Sequence, residues 1–154
     1  MRESGHITFT SSVWDRLMSP ASDSAIATLS LQQYRRAITR DLENLLNTRS
    51  AVPDAALAGQ PHCRRSIASF GLADFAELSL SSSADRKELC DRLEAAIARH
   101  EPRLKQVRAQ LVHEPGVVNH VSFVITGRLT ALASSTPLRF DVVLQPSTLH
   151  YSIR

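Results

Sequence analysis

The sequence predicts an α+β fold, with an N-terminal arm and two main helices packed on a small C-terminal antiparallel sheet. Two observations support this prediction. Before Pro102, apolar residues recur every three to four positions in two segments, as on the buried face of an amphipathic helix. After Pro102 the apolar period becomes two, as in strands that bury one face. Helices followed by strands are typical of α+β domains.

The composition excludes several classes of protein. Of the 154 residues, 43% are hydrophobic and 21% are charged, which excludes a wholly disordered or collagen-like chain. The 18 Lys and Arg residues exceed the 15 Asp and Glu residues only slightly, and they form no basic block, so we expect no nucleic-acid partner. No run approaches the roughly 20 apolar residues that span a bilayer, and no secretory signal pattern is present. We therefore expect a soluble, cytoplasmic protein without direct membrane insertion.

Residues 1–29 are predicted to form the arm, and residues 30–154 the domain. The arm is rich in Ser and Thr and contains one apolar cluster, namely Val13, Trp14, Leu17 and Met18. The spacing of its last three members predicts one or two helical turns. Trp14 and Leu17 either dock on the parent domain or anchor another subunit, because Trp is enriched at interface hot spots.

The first main helix is predicted over residues 30–49. Ser30 and Gln33 have the spacing of a capping box. Arg40 and Glu43 are expected on the polar face, where they can pair. The predicted buried face consists of Leu31, Tyr34, Ile38, Leu42 and Leu45.

The second helix is predicted at about residues 83–100. Ser82 and Asp85 supply an N-terminal cap, and Pro102 ends the helix because a residue before proline is pushed out of helical geometry. The predicted buried face consists of Leu89, Leu93, Ala96 and Ile97. Between the helices, Ile67 and Phe70 precede Gly71, which predicts a short packed segment that ends in a glycine turn.

Four segments of alternating polarity predict a meander, and they are centred on residues 107–111, 121–125, 138–144 and 149–153. Gly127 is expected to mark a bulge. A meander ends in a strand with unpaired backbone groups, and the last two segments are the candidates for that edge. Strand addition by a partner is therefore expected there, with Val143 as a contact residue.

Several segments of the chain resemble one known family. The matching segments are Val13–Leu17, Tyr34–Ile38, Asp41–Arg49, Ser66–Leu72 and Glu101–Leu104. They are similar to the baseplate wedge subunits of contractile injection machines, which include the lysozyme-like wedge family of T4-type phage tails. The type VI secretion system subunits called TssE are the most similar member type. The resemblance covers about residues 13–145, with Phe70 where Tyr is usual.

The resemblance implies a structural subunit that is not an enzyme. Its expected partners are other baseplate wedge subunits and contractile sheath subunits, whose polymerisation it helps to initiate. The expected place is the inner face of the inner membrane. Neither a cofactor, nor a metal, nor a small-molecule substrate is expected.

The triplet Glu101, Pro102 and Arg103 is the strongest candidate site. Proline holds the segment extended, so Glu101 and Arg103 point to the same side as an acid–base pair. This pair either meets a complementary pair on a partner or forms only a local salt bridge at the helix end. The resemblance favours the first interpretation, because in the family the triplet is implicated in contacts with neighbouring wedge subunits.

Two other functions remain open, namely a peptidoglycan hydrolase and a small regulatory binding module with the same fold. Glycoside hydrolysis uses two carboxylates about 5–9.5 Å apart across a sugar. The candidates are Glu94, Glu101, Asp74 and Glu114. The sequence places no two of them across a cleft, and 1 Trp and 2 Tyr offer few platforms for sugar rings.

Overall fold

The structure is a computed structural model. It describes residues 9–18, 28–74, 78–79, 81–112, 121–131, 137–145 and 147–154. The chain divides into two compact units, Met1–Arg40 and Asp41–Arg154, and the division falls within a helix. The boundary predicted between residues 29 and 30 stays a prediction. No helix in the described ranges is long and apolar enough to cross a membrane.

The first unit contains short elements and the start of a long helix. Its elements are β1 (Phe9–Thr10), α1 (Val13–Met18), β2 (Thr28–Leu29) and the first part of α2 (Leu31–Asn47). The strands β1 and β2 pair antiparallel. The ring of Phe9 stacks on that of Tyr34, with centroids 4.5 Å apart. The helical turns predicted around Trp14 are confirmed by α1.

The capping box predicted for α2 is confirmed. The backbone N–H of Ser30 donates to Gln33 Oε1 at 2.9 Å, and the backbone N–H of Gln33 donates to Ser30 Oγ at 3.2 Å. Four of the five residues predicted to be buried are buried, namely Tyr34, Ile38, Leu42 and Leu45. Leu31 is exposed instead, because a side chain in the first helical position projects beyond the helix end. Leu46 is buried as well, which widens the apolar face.

The second helix, α3 (Ser83–His100), agrees with its prediction. The Ser82 hydroxyl accepts a hydrogen bond from the backbone N–H of Asp85 at 3.3 Å. Its buried face consists of Leu89, Leu93, Ala96 and Ile97, as the periodicity predicts. The helix ends at His100, two residues before Pro102.

The C-terminal meander is also confirmed. It contains β3 (Leu104–Val112), β4 (Val121–Leu129), β5 (Leu138–Gln145) and β6 (His150–Ile153), which are antiparallel and lie in the order β3-β4-β5-β6. α3 packs along β3. The largest side chains buried in the sheet are those of Phe123, Phe140 and Tyr151. The fold of the second unit is therefore α+β.

The bulge expected at Gly127 lies on the opposite strand. Gln106 and Val107 of β3 fall between the regular pairs and face Gly127 of β4, and Gln106 has a φ of 53°. The extra residue leaves both Lys105 and Gln106 exposed and returns Val107 to the core. The glycine therefore predicts the level of the bulge but not its strand.

Of the two segments predicted as candidates for the sheet edge, β6 is an outer strand and β5 is not. β5 pairs with β4 on one side and with β6 on the other, so that Val143 lies opposite Ser122 and Ser152. The sequence alternation is the same in inner and outer strands, and it therefore carries no information on strand order. The outer strands of the sheet are β3 and β6.

Helix side chains occupy backbone groups on both outer strands. At β6, Asn47 and Glu43 of α2 accept hydrogen bonds from the backbone N–H groups of Tyr151 and Ile153, at 2.8 and 2.7 Å. At β3, Glu94 of α3 accepts one from the backbone N–H of Ala109 at 2.8 Å. Donors that an added strand would need are thus already bonded within the fold.

The connector between α2 and α3 contains three short 3-10 turns, Asp54–Leu57, Cys63–Arg65 and Ile67–Ser69. The glycine turn is confirmed, because Gly71 has a φ of 111°. It allows Leu72 to bond the end of α2, with its N–H donating to the carbonyl of Thr48 at 2.8 Å. The packing predicted for Ile67 is wrong, since its side chain is 89% exposed.

Candidate functional site

Glu101, Pro102 and Arg103 form the junction between α3 and the sheet. The backbone N–H of Glu101 completes the last helical hydrogen bond, to the carbonyl of Ile97 at 2.8 Å. The carbonyl of Arg103 accepts a hydrogen bond from the backbone N–H of Thr130, just after β4, at 2.9 Å. Both ends of the triplet are therefore fixed by backbone bonds.

The predicted acid–base pair is present, and a second carboxylate joins it. Arg103 Nε donates to Glu101 Oε1 at 2.6 Å, and Arg103 Nη2 contacts Glu101 Oε2. The same Nη2 donates to Asp41 Oδ2 at 2.7 Å. Asp41 is a residue of the site that the analysis of spacing missed, because 62 residues separate it from Arg103. Its one signal in the sequence is its place at the start of the matching segment Asp41–Arg49.

The electrostatics of this network hold the guanidinium in its charged form. Burial on its own would lower the pKa of Arg103, but its hydrogen bonds to Glu101 and Asp41 raise that pKa above its ordinary value. Glu101 is only 4% exposed, and its carboxylate binds Arg103 within the fold. Pro102 is the exposed member of the triplet, and Arg103 is half-buried. The pair is thus a buried bridge and not an exposed one.

Trp14 and Leu17 lie on α1, a helix whose apolar side chains are exposed. Its polar side is bonded within the first unit, because Asp15 receives a hydrogen bond from Arg40 at 2.7 Å and another from the Ser12 hydroxyl at 2.7 Å. The bonds from Arg40 and Ser12 lower the pKa of Asp15. Trp14 is 63% exposed and Leu17 is 72% exposed.

Val143 lies on a different element from the other predicted site residues. Its side chain is buried and borders a depression of about 170 Å³ that Arg139, Asp141 and Arg154 also line. Arg139 and Asp141 pair with each other at 2.8 Å. The structure thus brings Glu101, Pro102 and Arg103 together and places Trp14, Leu17 and Val143 elsewhere in the chain.

Two of the four carboxylates considered for hydrolysis, those of Glu94 and Glu101, are engaged in the fold. Glu94 bonds the backbone of Ala109 and also receives a hydrogen bond from Arg108 at 3.2 Å. Glu101 is held by Arg103, and Glu114 lies outside the described residues. No group of three His, Cys, Asp or Glu side chains that could hold a metal ion occurs in the described part of the chain.

His100 has a contact that sequence spacing does not reveal. Its Nε2 lies 2.9 Å from the carbonyl oxygen of Ser69, and its ring meets that of Phe70 edge-on at 5.3 Å. Burial lowers the pKa of this imidazole, although its bond to Ser69 acts in the opposite direction. His100 thus ties the connector to α3.

Comparisons with known proteins found one matching family and one similar solved chain that can be described. The family described as "Baseplate wedge protein gp25" matches residues 32–133, which is more than half of the chain and includes α3, β3, β4 and the triplet. One solved chain, from "The baseplate complex from the type VI secretion system", has 16% sequence identity and a TM-score of 0.49. That alignment covers 74% of this chain and 96% of the other. No curated protein gives a match.

The family match covers both helices at the positions given above, the bulged pair of strands and the junction between them. The chain therefore belongs to the baseplate wedge protein gp25 family, a family of structural baseplate components.

Proposed function

We propose that this chain is a structural wedge subunit of a type VI secretion system baseplate, of the TssE type, and not an enzyme. It would bind other wedge subunits and help to initiate polymerisation of the contractile sheath. Its place would be the cytoplasm, at the inner face of the inner membrane. The family match supports the baseplate role, and the exposed apolar face of α1 is the observation that carries the assignment of partner binding.

The apolar face of α1 consists of Val13, Trp14, Leu17 and Met18, all of which are exposed. A helix of six residues has little stability of its own in water. Here the ion pair between Asp15 and Arg40 and the Ser12 cap fix it from its polar side. Fixing the helix in this way presents Trp14 and Leu17 outward at reduced entropic cost to a binding partner. Trp side chains in such positions are frequent hot spots, so we assign them as the anchor for a wedge subunit.

The triplet has a positioning role in this proposal. The buried bridge from Arg103 to Glu101 and Asp41 holds the α3–β3 junction rigid, with Pro102 facing outward. A wedge subunit would contact Pro102 and the accessible edge of Arg103. Loss of Glu101 would act on this contact indirectly, because the guanidinium would lose the partner that orients it.

Side chains of the helices already hold backbone donors on both outer strands of this sheet. Backbone donors of β6 are held by Asn47 and Glu43, and one of β3 is held by Glu94. We therefore assign the sheath contact to a side-chain surface. On β5 this is the face around Val143, next to the pair of Arg139 and Asp141.

The test is sheath assembly in cells that carry a fluorescent sheath subunit. We expect Trp14→Ser/Leu17→Ser to abolish sheath structures while the purified variant keeps its circular dichroism spectrum. The matched control is Ile67→Ser, which also removes an exposed apolar side chain but lies in the connector. Normal sheath assembly in the double variant would overturn the role of α1, and a loss in both variants would show that the effect is not specific to α1.

A further inference from the structure

A strongly basic cleft lies beside the triplet, and its cationic residues play no part in the function proposed above. It is open, has a volume of about 650 Å³, and is bordered by Pro102. Four of its lining residues are cationic, namely Arg64, Arg65, Arg99 and Lys105. No acidic residue lines it within the described ranges of the chain.

Three separate elements bring these cations together. Arg64 and Arg65 belong to the 3-10 turn Cys63–Arg65, and Arg99 lies in the last turn of α3. Lys105 is on β3 directly before the bulge, which leaves it exposed. Lys105 is also paired in register with Arg128 of β4, so two like charges face each other across the strands. Such a pair destabilises a sheet unless an anion lies near it.

Most of this positive charge has no ion-pair partner among the described residues. Arg99 pairs with Asp54 at 3.4 Å. For Arg64, Arg65 and Lys105, no ion pair is present among the residues that the structure describes. Three cations without a carboxylate at one cleft form an electrostatic surface that favours an anionic ligand.

We propose that this cleft binds an extended acidic segment of a partner protein. Guanidinium groups bind carboxylates through paired parallel hydrogen bonds, and three of the four cations are arginines. The prolines at positions 61 and 102 give the cleft rigid apolar walls, against which the backbone of an extended peptide can pack. No aromatic side chain lines the cleft in the described part of the chain, so stacking platforms for nucleic-acid bases are missing there.

The test uses purified protein and a fluorescein-labelled peptide of eight alternating Asp and Glu residues, with fluorescence anisotropy as the readout. We expect Arg64→Gln/Arg65→Gln/Lys105→Gln to weaken binding about tenfold, since each exposed pair contributes a fraction of a kcal/mol. The control Arg16→Gln/Arg36→Gln/Lys87→Gln removes the same charges from other exposed positions and should bind as the parent does. Binding should also weaken as salt is raised toward physiological strength.

Each contrary result overturns the proposal. The proposal is wrong if the peptide does not bind the parent protein at low salt. It is also wrong if the control variant loses as much peptide affinity as the triple variant. Tighter binding of a single-stranded oligonucleotide, lost in the same triple variant, would assign the cleft to nucleic acid instead. The single variant Lys105→Gln, on an exposed strand position, keeps the test valid if the triple variant does not fold. None of these results depends on whether the protein is a baseplate subunit.

Discussion

Asn47, the last residue of α2, bonds both backbone groups of Tyr151 in β6. Its Oδ1 accepts from the N–H of Tyr151 and its Nδ2 donates to the carbonyl of Tyr151, each at 2.8 Å, across 104 residues of chain. The amide side chain thus takes the place that a further strand would occupy. It satisfies the outer edge of the sheet and fixes the C-terminal strand to the helix.

Replacing Asn47 with Ala is expected to destabilise the protein by about 1–3 kcal/mol, because two buried backbone groups lose their partner. Urea unfolding measures this loss, and hydrogen exchange should quicken at the amide of Tyr151. The control is Asn44→Ala, an exposed position on the same helix, where we expect less than about 0.5 kcal/mol. Equal effects of the two substitutions would show that Asn47 does not clamp the edge.

The buried bridge predicts which substitution in the triplet lowers the free energy of unfolding more. Arg103→Ala leaves the buried Glu101 without a counter-charge and should cost about 3–5 kcal/mol. Glu101→Gln should cost less, because Arg103 keeps Asp41 as a partner. Chemical denaturation of both variants checks this order. The reverse order would contradict the assignment of Glu101 as the buried member.

Gly71→Ala should be strongly destabilising. A Cβ there would lie 2.5 Å from the carbonyl oxygen of Thr48, in a backbone conformation that alanine disfavours. Such strain costs about 1–3 kcal/mol before the clash is counted. Gly59→Ala is the control, because nothing lies within 4 Å of its added Cβ. Thermal melts should separate the two variants clearly, and equal melting temperatures would contradict the tight approach of Gly71 to α2.

Stability should depend on pH through His100. Burial lowers the pKa of the folded imidazole below its ordinary value of 6.5. The unfolded chain therefore takes up the proton first, and stability that is present above pH 6.5 is lost as the pH falls through the lower folded pKa. We expect His100→Gln to reduce this loss when urea midpoints are compared between about pH 7.5 and pH 5. An identical pH profile in parent and variant would exclude His100 as the source.

The sequence was sufficient for the local structure. Ser30 and Gln33 mark the start of α2, the face from Leu89 to Ile97 marks α3, and Gly71 marks its turn. These features depend on neighbours within a few residues, and their physical rules are local.

Contacts between residues far apart in the chain could not be predicted from the sequence. Alternation does not tell an inner strand from an outer one, so the sequence left two candidates for the edge, of which β6 is an outer strand and β5, with Val143, is not. The third member of the charge network, Asp41, lies 62 residues from Arg103 and shows no periodic link to it. The pair of Asp15 and Arg40, which bonds α1 from its polar side, also joins residues that only folding brings together.

Copurification with identified wedge subunits tests the central claim most directly, namely that this chain is a structural baseplate subunit. The tagged protein and its Trp14→Ser/Leu17→Ser variant are isolated from cells that produce the machine, and each wedge subunit is quantified by mass spectrometry. The account predicts near-equimolar recovery of at least one wedge subunit with the parent protein, and a loss of about tenfold or more with the variant, as expected when two hot-spot residues are removed. Recovery of no wedge subunit by the parent protein would contradict it.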